Sequence, residues 1–317
     1  MTVPTAGETF ARTEIGSLGP LLGSGGQGSV HAVPDISLPD VSGALVFKEY
    51  HRGQEPPHGL QTLVSRRLRM DDATRAKLDR LTAWPVRLVE EDGQVCGVLM
   101  RLIPDEYFQQ RTTPSGKSTR TLREIQHLFV EPGRSARLGM PPPTMAHRLM
   151  LCRSFAAALH FLHRNDFVVG DVNAKNAVFT VADLPSMMVI DCDAIRIKGT
   201  MAVVRQLNAP DWDPPEDTLS QATDLYKFGL FVLRCLGPGA FASVSRDPGR
   251  ADAVLDTEGR ALLRAALHPD PARRPTAQVW GRYLDHVLKG PRRSGTTWTP
   301  GWERDPVTRK WVQVRPP

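Results

Sequence analysis

The sequence predicts an α+β protein with a small β-rich amino-terminal part and a larger helical carboxy-terminal part. Short apolar strand patterns, separated by Pro- and Gly-containing connections, predict the first part. They fall at residues 21–33, 44–50, 86–90 and 95–103. Helical periodicity dominates after residue 144 and predicts the second part.

Each part has a predicted order of elements. In the first part, helical patterns at residues 61–70 and 73–81 follow the strand that ends near Tyr50. They precede a hairpin that turns at Asp92-Gly93. In the second part, Thr144 is placed to cap a long helix that ends near His163. Further helices are predicted at residues 224–236, 257–267 and 277–288.

These patterns predict four segments along the chain. Residues 1–11 form an extension, 12–103 the β-rich part, 104–288 the helical part, and 289–317 a basic tail that contains tryptophan. Within the helical part, residues 105–142 are polar and rich in Arg, Ser, Thr, Gly and Pro, which favours an irregular insertion.

Composition limits the class of protein. A chain of 317 residues with 41% hydrophobic and 23% charged residues can bury a substantial core. It has no apolar stretch long enough for a membrane span and no secretory signal pattern. Its four cysteines include no C-x-x-C pair, which is typical of reduced thiols. We therefore expect a cytoplasmic protein that does not bind a membrane.

The net charge of +6 does not indicate a nucleic-acid partner, because the basic residues are scattered along the chain. The tail carries Trp298, Trp302 and Trp311. Since large aromatic side chains rarely stay exposed, we expect the tail to fold back on the helical part or to dock a partner.

Two motifs in the β-rich part indicate phosphate chemistry. Gly23, Gly25, Gly28 and Val30 complete a G-x-G-x-x-G-x-V pattern between two strands. Glycines allow backbone N–H groups to approach a ligand where a Cβ would collide. Lys48 ends the apolar run Leu45-Val46-Phe47, so strand alternation can aim its ammonium into a site.

Two further motifs in the helical part supply oxygen ligands and a base. Asp171 stands five positions before Asn176, and Asp191 follows the apolar strand pattern Met187–Ile190. Carboxylate and amide oxygens suit Mg²⁺, a small hard cation. Asp171, Asn176 and Asp191 are therefore candidates for a site that handles a metal-bound phosphate.

Taken in order, these motifs resemble those of protein kinases. The resemblance extends to Pro215-Glu216 at the A-P-E position, Asp224 at the start of an apolar helix, and Arg274 in a late Arg-Pro element. It covers residues 12–288 and implies a two-lobed protein-kinase-like fold. The pattern Gly170-Asp171-Val172-Asn173 with Asp191-Cys192-Asp193 is also similar to a divergent group of bacterial kinase-like proteins.

The resemblance implies a role for each site residue. Gly23, Gly25 and Gly28 would approach the phosphates of ATP, with Val30 over the adenine. Lys48 would bind the α- and β-phosphates, and Asp171 would be the catalytic base, assisted by Lys175. The metal ligands would be Asn176 and Asp191, holding Mg²⁺ or alternatively Mn²⁺. Backbone groups of Arg101 and Ile103 would meet the adenine after Met100.

The chain departs from the kinase pattern in three places. No Glu occurs between Glu55 and Glu90, so the usual helix partner of Lys48 is missing and Asp72 is our choice for it. Cys192 and Asp193 replace the Phe and Gly that usually follow the metal-binding Asp, and Asp193 is expected to be structural. Gly170 replaces an Arg that receives an activation-loop phosphate, and Thr200 is the one hydroxyl between Ala194 and Pro215.

The resemblance therefore implies an ATP- and Mg²⁺-dependent Ser/Thr-type protein kinase that acts without activation-loop phosphorylation. One alternative is a pseudokinase scaffold that binds nucleotide weakly, as the missing Glu and altered Asp191 motif suggest. The other alternative is a small-molecule kinase, which Pro215-Glu216 and Arg274 disfavour. The sequence leaves the protein substrate open.

Overall fold

The computed structural model describes residues 7–56, 59–112, 116–137, 139–199 and 209–290, and the backbone of 302–304 and 311–313. It confirms the α+β class. In the described residues the helices are α1 (Leu60–Leu68), α2 (Asp72–Leu81), α3 (Pro132–Arg137), α4 (Met145–Arg164), α5 (Gln221–Leu236), α6 (Thr257–Ala266) and α7 (Ala277–Lys289).

The strands of the described residues comprise one group before residue 104 and shorter ones after it. They are β1 (Thr9–Ala11), β2 (Leu21–Ser24), β3 (Gly28–Ala32), β4 (Leu45–Tyr50), β5 (Pro85–Glu91), β6 (Gln94–Arg101), β7 (Phe108–Thr112), β8 (Ser118–Leu122), β9 (Phe167–Val168), β10 (Ala177–Thr180), β11 (Ser186–Val189), β12 (Arg196–Ile197), β13 (Trp302–Arg304) and β14 (Trp311–Gln313).

The chain divides into two compact units. The first unit lies within residues 1–104 and also includes Val189–Ile197. The second unit lies within residues 105–188 and 198–317. The segment that carries Asp191 and Asp193 therefore belongs to the first unit, although it is distant in sequence.

The first unit contains a six-stranded sheet in the order β1-β5-β6-β4-β3-β2. Strand β1 runs parallel to β5, and the other neighbours pair antiparallel. The predicted strands and the hairpin at Asp92-Gly93 are confirmed. The sheet also takes in Thr9–Ala11, which lies in the segment predicted as an extension.

Both faces of this sheet are covered, and strand alternation sorts the residues of β4 between them. Leu45 and Phe47 belong to one buried cluster. Val46 and Tyr50 belong to a second cluster, with residues of helix α1. Because Lys48 lies between Val46 and Tyr50 in the same alternation, its side chain projects from the face that α1 covers.

Helices α1 and α2 are joined to the rest of the first unit by a buried ionic network. Arg67 of α1 donates to Asp79 of α2 at 2.8 and 2.6 Å. The same guanidinium donates to Asp40 at 2.5 Å, and Arg87 of β5 donates to Asp40 at 2.6 Å. Although burial opposes it, hydrogen bonds from Arg87 and Arg67 lower the pKa of Asp40 to about 2. The network fixes both helices to the sheet.

The second unit has a helical core built around α4 and α5. The side chain of Thr144 accepts a hydrogen bond from the His147 N–H and caps α4, as predicted. Phe155 of α4 packs edge-on against Phe231 of α5 with ring centroids 5.1 Å apart. Trp280 of α7 packs in the same manner on Phe228, at 5.7 Å.

The prediction that residues 105–142 are irregular is wrong, whereas their being an insertion stays a prediction. Strands β7 and β8 form an antiparallel hairpin in which Phe108 pairs with Leu122, and α3 follows. The hairpin was missed because polar residues occupy both of its faces, so no apolar alternation marks it.

In the described part of the chain, no helix has the length and hydrophobicity to cross a membrane.

Candidate functional site

The Gly-rich turn (Gly23–Gly28) joins β2 to β3 in the first unit. The Gly25 N–H donates to the Gly28 carbonyl at 2.9 Å, and the His51 N–H donates to the Gln27 carbonyl at 2.9 Å. The ring of His51 also lies 3.2 Å from the Gly25 carbonyl oxygen. These bonds hold the turn over the end of β4.

The three motif glycines differ in why glycine stands there. A Cβ on Gly28 would lie 2.1 Å from the carbonyl oxygen of Glu49, so close strand approach alone requires this glycine. At Gly23 and Gly25 no atom lies within 4 Å of the Cβ position, and neither residue has a left-handed φ. The described chain therefore gives no packing reason for Gly23 and Gly25. Val30 is half-buried and pairs with Lys48 across the strands.

Lys48 is buried and contacts three side chains of the first unit. Its Nζ donates to Asp191 Oδ1 at 2.6 Å, to Asp193 Oδ2 at 2.8 Å, and to Gln27 Oε1 at 3.3 Å. Burial opposes the charge, yet the neighbouring Asp193 and Asp191 carboxylates raise the pKa of Lys48 above its usual value. The ammonium therefore stays protonated and joins β4 to the segment after β11.

The Asp191 turn (Asp191–Asp193) follows β11. Asp191 adopts a left-handed conformation with φ 61°, which is uncommon for a residue other than glycine. Its side chain is 32% exposed, whereas that of Asp193 is 1% exposed. Burial and the nearby Asp193 charge raise the pKa of Asp191. Two carboxylates thus share one ammonium, which leaves a surplus of negative charge that a cation would offset.

The predicted pairing of Lys48 with Asp72 is wrong. Asp72 is fully exposed and pairs with Arg75 one turn along α2, at 2.8 Å. Asp71 caps the same helix through the Thr74 N–H, and Asp79 accepts from Arg67. Every acid that α2 could offer is therefore engaged elsewhere, and the partners of Lys48 come from the Asp191 turn.

The Asp171 loop (Val169–Asn176) lies in the second unit. Asn173 Nδ2 donates to Asp171 Oδ1 at 2.9 Å, and Asn176 Nδ2 donates to Asp171 Oδ2 at 2.7 Å. Asn173 Oδ1 in turn accepts from the backbone N–H groups of Lys175 and Asn176, at 2.8 and 3.2 Å. The two amides orient the carboxylate, and Asn176 Nδ2 also donates to the Asp171 carbonyl at 3.2 Å.

Helix α5 holds the backbone of this loop. Asp224 accepts from the N–H groups of Val169 and Gly170 at 2.8 and 2.7 Å. Lys227, one turn further along α5, donates to the Gly170 carbonyl at 2.6 Å. Gly170 has φ 72°, and the Asp171 N–H bonds back to the Val169 carbonyl at 2.8 Å, which describes a tight turn of γ type. This conformation gives a physical reason for glycine at position 170.

Lys175, the predicted catalytic assistant, has an exposed side chain. Burial raises the pKa of Glu124, and the hydrogen bond from Gln126 and the charge of Lys175 offset only part of that rise. Arg101 pairs with Leu45 in the sheet, and the Leu102 N–H donates to the Ala44 carbonyl at 2.9 Å. The adenine contacts of Arg101 and Ile103 stay predictions.

Glu216 and Arg274 form the expected ion pair. The two terminal guanidinium nitrogens of Arg274 donate to the Glu216 carboxylate, at 2.6 and 2.7 Å, in a two-point contact. Arg274 also donates to the Ala222 carbonyl at 2.9 Å.

Thr200 and Trp298 lie outside the described residues, as do the side chains of Trp302 and Trp311, so the expectations for them stay predictions.

Several residues of these clusters were missed or undervalued in the sequence. Asn173 has the i, i+2 spacing from Asp171 that allows an Asx-type bond, a signal that was available. Tyr50 OH donates to Asp193 Oδ2 at 2.6 Å, and its position two residues after Lys48 placed it on the same strand face. Lys227 offered no such signal, because a single lysine in an apolar helix resembles a surface residue.

The geometry thus brings together one group of candidate residues within each unit. Lys48, Asp191 and Asp193 meet in the first unit, and Asp171, Asn173 and Asn176 meet in the second. No protein-family model and no curated protein matches the chain.

Proposed function

We propose that this chain is an ATP- and Mg²⁺-dependent protein kinase with a two-lobed protein-kinase-like fold, which transfers the γ-phosphoryl group to Ser/Thr hydroxyls of a protein. The observation that carries the proposal is the contact of Lys48 Nζ with Asp191 Oδ1, at 2.6 Å across 143 residues of sequence. Kinases require a strand lysine and a metal-binding aspartate in one site.

The residues of the first unit fit a nucleotide and its cation. No atom lies within 4 Å of the Cβ positions of Gly23 and Gly25, so there is open space beside the turn. Phosphate oxygens can approach backbone N–H groups through this space. The ammonium of Lys48 complements phosphate charge. The second carboxylate near Lys48 leaves surplus negative charge that favours a cation at Asp191.

In the second unit, Asp171 has the chemistry of the base. Its two oxygens are oriented by Asn173 and Asn176, so the carboxylate can accept a hydrogen bond from an acceptor hydroxyl. As the hydroxyl oxygen bonds to the γ-phosphorus and the bond to ADP breaks, the hydroxyl proton passes to Asp171. Asn176 supplies an amide oxygen of the kind that Mg²⁺ takes. When bound, Mg²⁺ neutralises charge on the phosphates.

Activity without activation-loop phosphorylation is part of this proposal. Gly170 has no side chain that could bind a phosphate. Its left-handed φ and the bonds of its two backbone polar groups to α5 favour glycine at this position. Treatment with a phosphatase is expected to leave the initial transfer rate unchanged. A rate that falls on dephosphorylation and returns on rephosphorylation would contradict this part.

One observation favours a nucleotide-binding scaffold as a second candidate. Lys48 occupies Asp191 Oδ1 directly and also bonds Gln27 of the Gly-rich turn, so its ammonium is engaged by protein groups at the place proposed for phosphate and cation. A scaffold would retain nucleotide without transferring phosphate.

The decisive experiment measures transfer of labelled γ-phosphate to the protein itself and to a generic protein substrate, in Mg²⁺ and in Mn²⁺. Asp171→Asn is expected to lower the rate by about 10²- to 10⁴-fold, the range for loss of a general base. Asp166→Asn, an exposed aspartate before the same loop, is the matched control and should retain the rate. ATP binding without transfer by the wild type would support the scaffold instead.

A further inference from the structure

We propose that Asp193, held by Tyr50, is the positioning residue that aims Lys48 at the nucleotide phosphates, in the role that a helix glutamate has in other kinases. This inference rests on the proposed function and assigns to Asp193 and Tyr50 a part in the same site.

The contacts of Asp193 single it out from its neighbour Asp191. Asp193 Oδ2 accepts from Lys48 Nζ at 2.8 Å and from Tyr50 OH at 2.6 Å. Its side chain is almost wholly buried, whereas Asp191 is about one-third exposed. A buried carboxyl group needs such donors, because a buried acceptor left without hydrogen bonds costs more than the bonds themselves contribute.

The donors come from one strand, which makes the arrangement rigid. Lys48 and Tyr50 are two residues apart on β4 and project from the same face of the sheet. The ring of Tyr50 packs in the cluster that contains Val46 and Val64. The phenol therefore has a fixed position, and it fixes Asp193 beside the ammonium.

Two carboxylates near one lysine allow a division of roles. The more exposed Asp191 can release Lys48 and turn to a cation, while the buried Asp193 keeps the lysine in place. Asp193 Oδ1 is buried and has no hydrogen-bond partner among the described residues. The hydrogen bonds that stabilise the buried Asp193 carboxyl group are therefore the two that Oδ2 accepts from Lys48 and Tyr50.

The acids of α2 do not compete for this role, since Asp71, Asp72 and Asp79 each have another partner. Asp193 also belongs to the same turn as Asp191. The lysine is therefore held without any movement of a helix, which agrees with a site that needs no phosphorylation to assemble.

The test compares ATP kinetics of Asp193→Asn, Tyr50→Phe, Lys48→Met and the double variant Lys48→Met/Asp193→Asn. Asp193→Asn is expected to lower kcat/KM for ATP by roughly 10- to 100-fold, and Tyr50→Phe by roughly 2- to 10-fold. The double variant should lose no more than Lys48→Met alone, since Asp193 acts through the lysine. Asp193→Glu should recover part of the loss.

Asp72→Asn is the matched control. It removes a carboxylate from the same unit, but this carboxylate is exposed and contacts Arg75 at the surface. Losses that multiply in the double variant would overturn the proposal, as would wild-type kinetics of Asp193→Asn. If Asp193→Asn fails to fold, Tyr50→Phe decides, and an unchanged kcat/KM for ATP in that variant overturns the proposal.

The failure of this inference differs from that of the proposed function. Transfer that Asp171→Asn abolishes and Asp193→Asn leaves intact removes only the role of Asp193. If the wild type transfers no phosphate, the same variants are compared by dissociation constants for a non-hydrolysable ATP analogue. A wild type that binds no nucleotide overturns both.

Discussion

Lys227 Nζ lies 2.6 Å from the carbonyl oxygen of Gly170, on the loop that carries Asp171. Asp224, one turn earlier on α5, accepts from the N–H groups of Val169 and Gly170. The helix therefore holds both the donors and the acceptor of one short backbone segment. Because α5 is buried along its length, this support is as rigid as the core itself.

Lys227→Met tests this support. Methionine keeps much of the buried volume but leaves the Gly170 carbonyl without its donor, which costs about 1–3 kcal/mol in unfolding free energy. We expect a lower rate of phosphoryl transfer with an unchanged KM for ATP, since the loop carries Asp171. Chemical denaturation and steady-state kinetics check the two effects. Lys198→Met, at an exposed lysine, is the control and should change neither.

The glycines of the Gly-rich turn are expected to respond differently to alanine. In Gly28→Ala the new Cβ would meet the Glu49 carbonyl at 2.1 Å, so we expect a loss of about 1–3 kcal/mol in stability. Gly25→Ala has open space and should retain the melting temperature. If phosphates approach this turn, Gly25→Ala nevertheless weakens ATP binding by about tenfold or more. Calorimetric titration and thermal unfolding of both variants separate the effects, and unchanged ATP affinity in Gly25→Ala would argue against a phosphate site.

The sequence predicted those parts of the site that local patterns determine. The period of two along β4 placed Lys48 on a buried face, and the apolar run before Asp191 placed a strand there. Spacing within the Asp171 loop was enough to associate Asp171 with Asn176. All of these relations lie within one element or one short loop.

The relations that were missed depend on tertiary structure. Asp193 contacts Lys48 from a turn in which Asp191 takes a left-handed conformation, and no sequence pattern marks Asp191 for φ 61°. Asp72 has the right charge for Lys48, but the direction in which α2 packs exposes it to solvent. The β7–β8 hairpin is polar on both faces, so hydrophobic periodicity could not reveal it.

Acid is expected to weaken the first unit through Asp40. The pKa of Asp40 falls from an ordinary 3.8 to about 2 in the folded chain. After allowance for solvent screening of this partly exposed group, its ion pairs with Arg67 and Arg87 contribute about 1–2 kcal/mol. This stabilisation is present above the pKa of the unfolded chain and is lost as pH falls through the pKa of the folded chain. The stability difference between wild type and Asp40→Asn should narrow by about this amount on acidification. Denaturant unfolding between the unfolded and folded pKa values of Asp40 measures this change in stability, with the exposed Asp72→Asn as control. A stability difference between wild type and Asp40→Asn that stays constant with pH would contradict the role of Asp40.

Variants of the two asparagines in the Asp171 loop should differ in the Mg²⁺ concentration that they need for activity. Asn173 orients Asp171 and the loop backbone, whereas the amide oxygen of Asn176 is proposed to hold the cation. Asn173→Ala should therefore lower kcat by roughly 10- to 100-fold, as expected when a bond to a charged group is lost, with an unchanged half-saturating Mg²⁺ concentration. Asn176→Ala should lower kcat and also raise that concentration, because an oxygen ligand is removed. Rate measurements over a Mg²⁺ series decide between these roles. A Mg²⁺ requirement that rises equally in both variants would mean that the cation responds to the shape of the loop and not to the oxygen of Asn176.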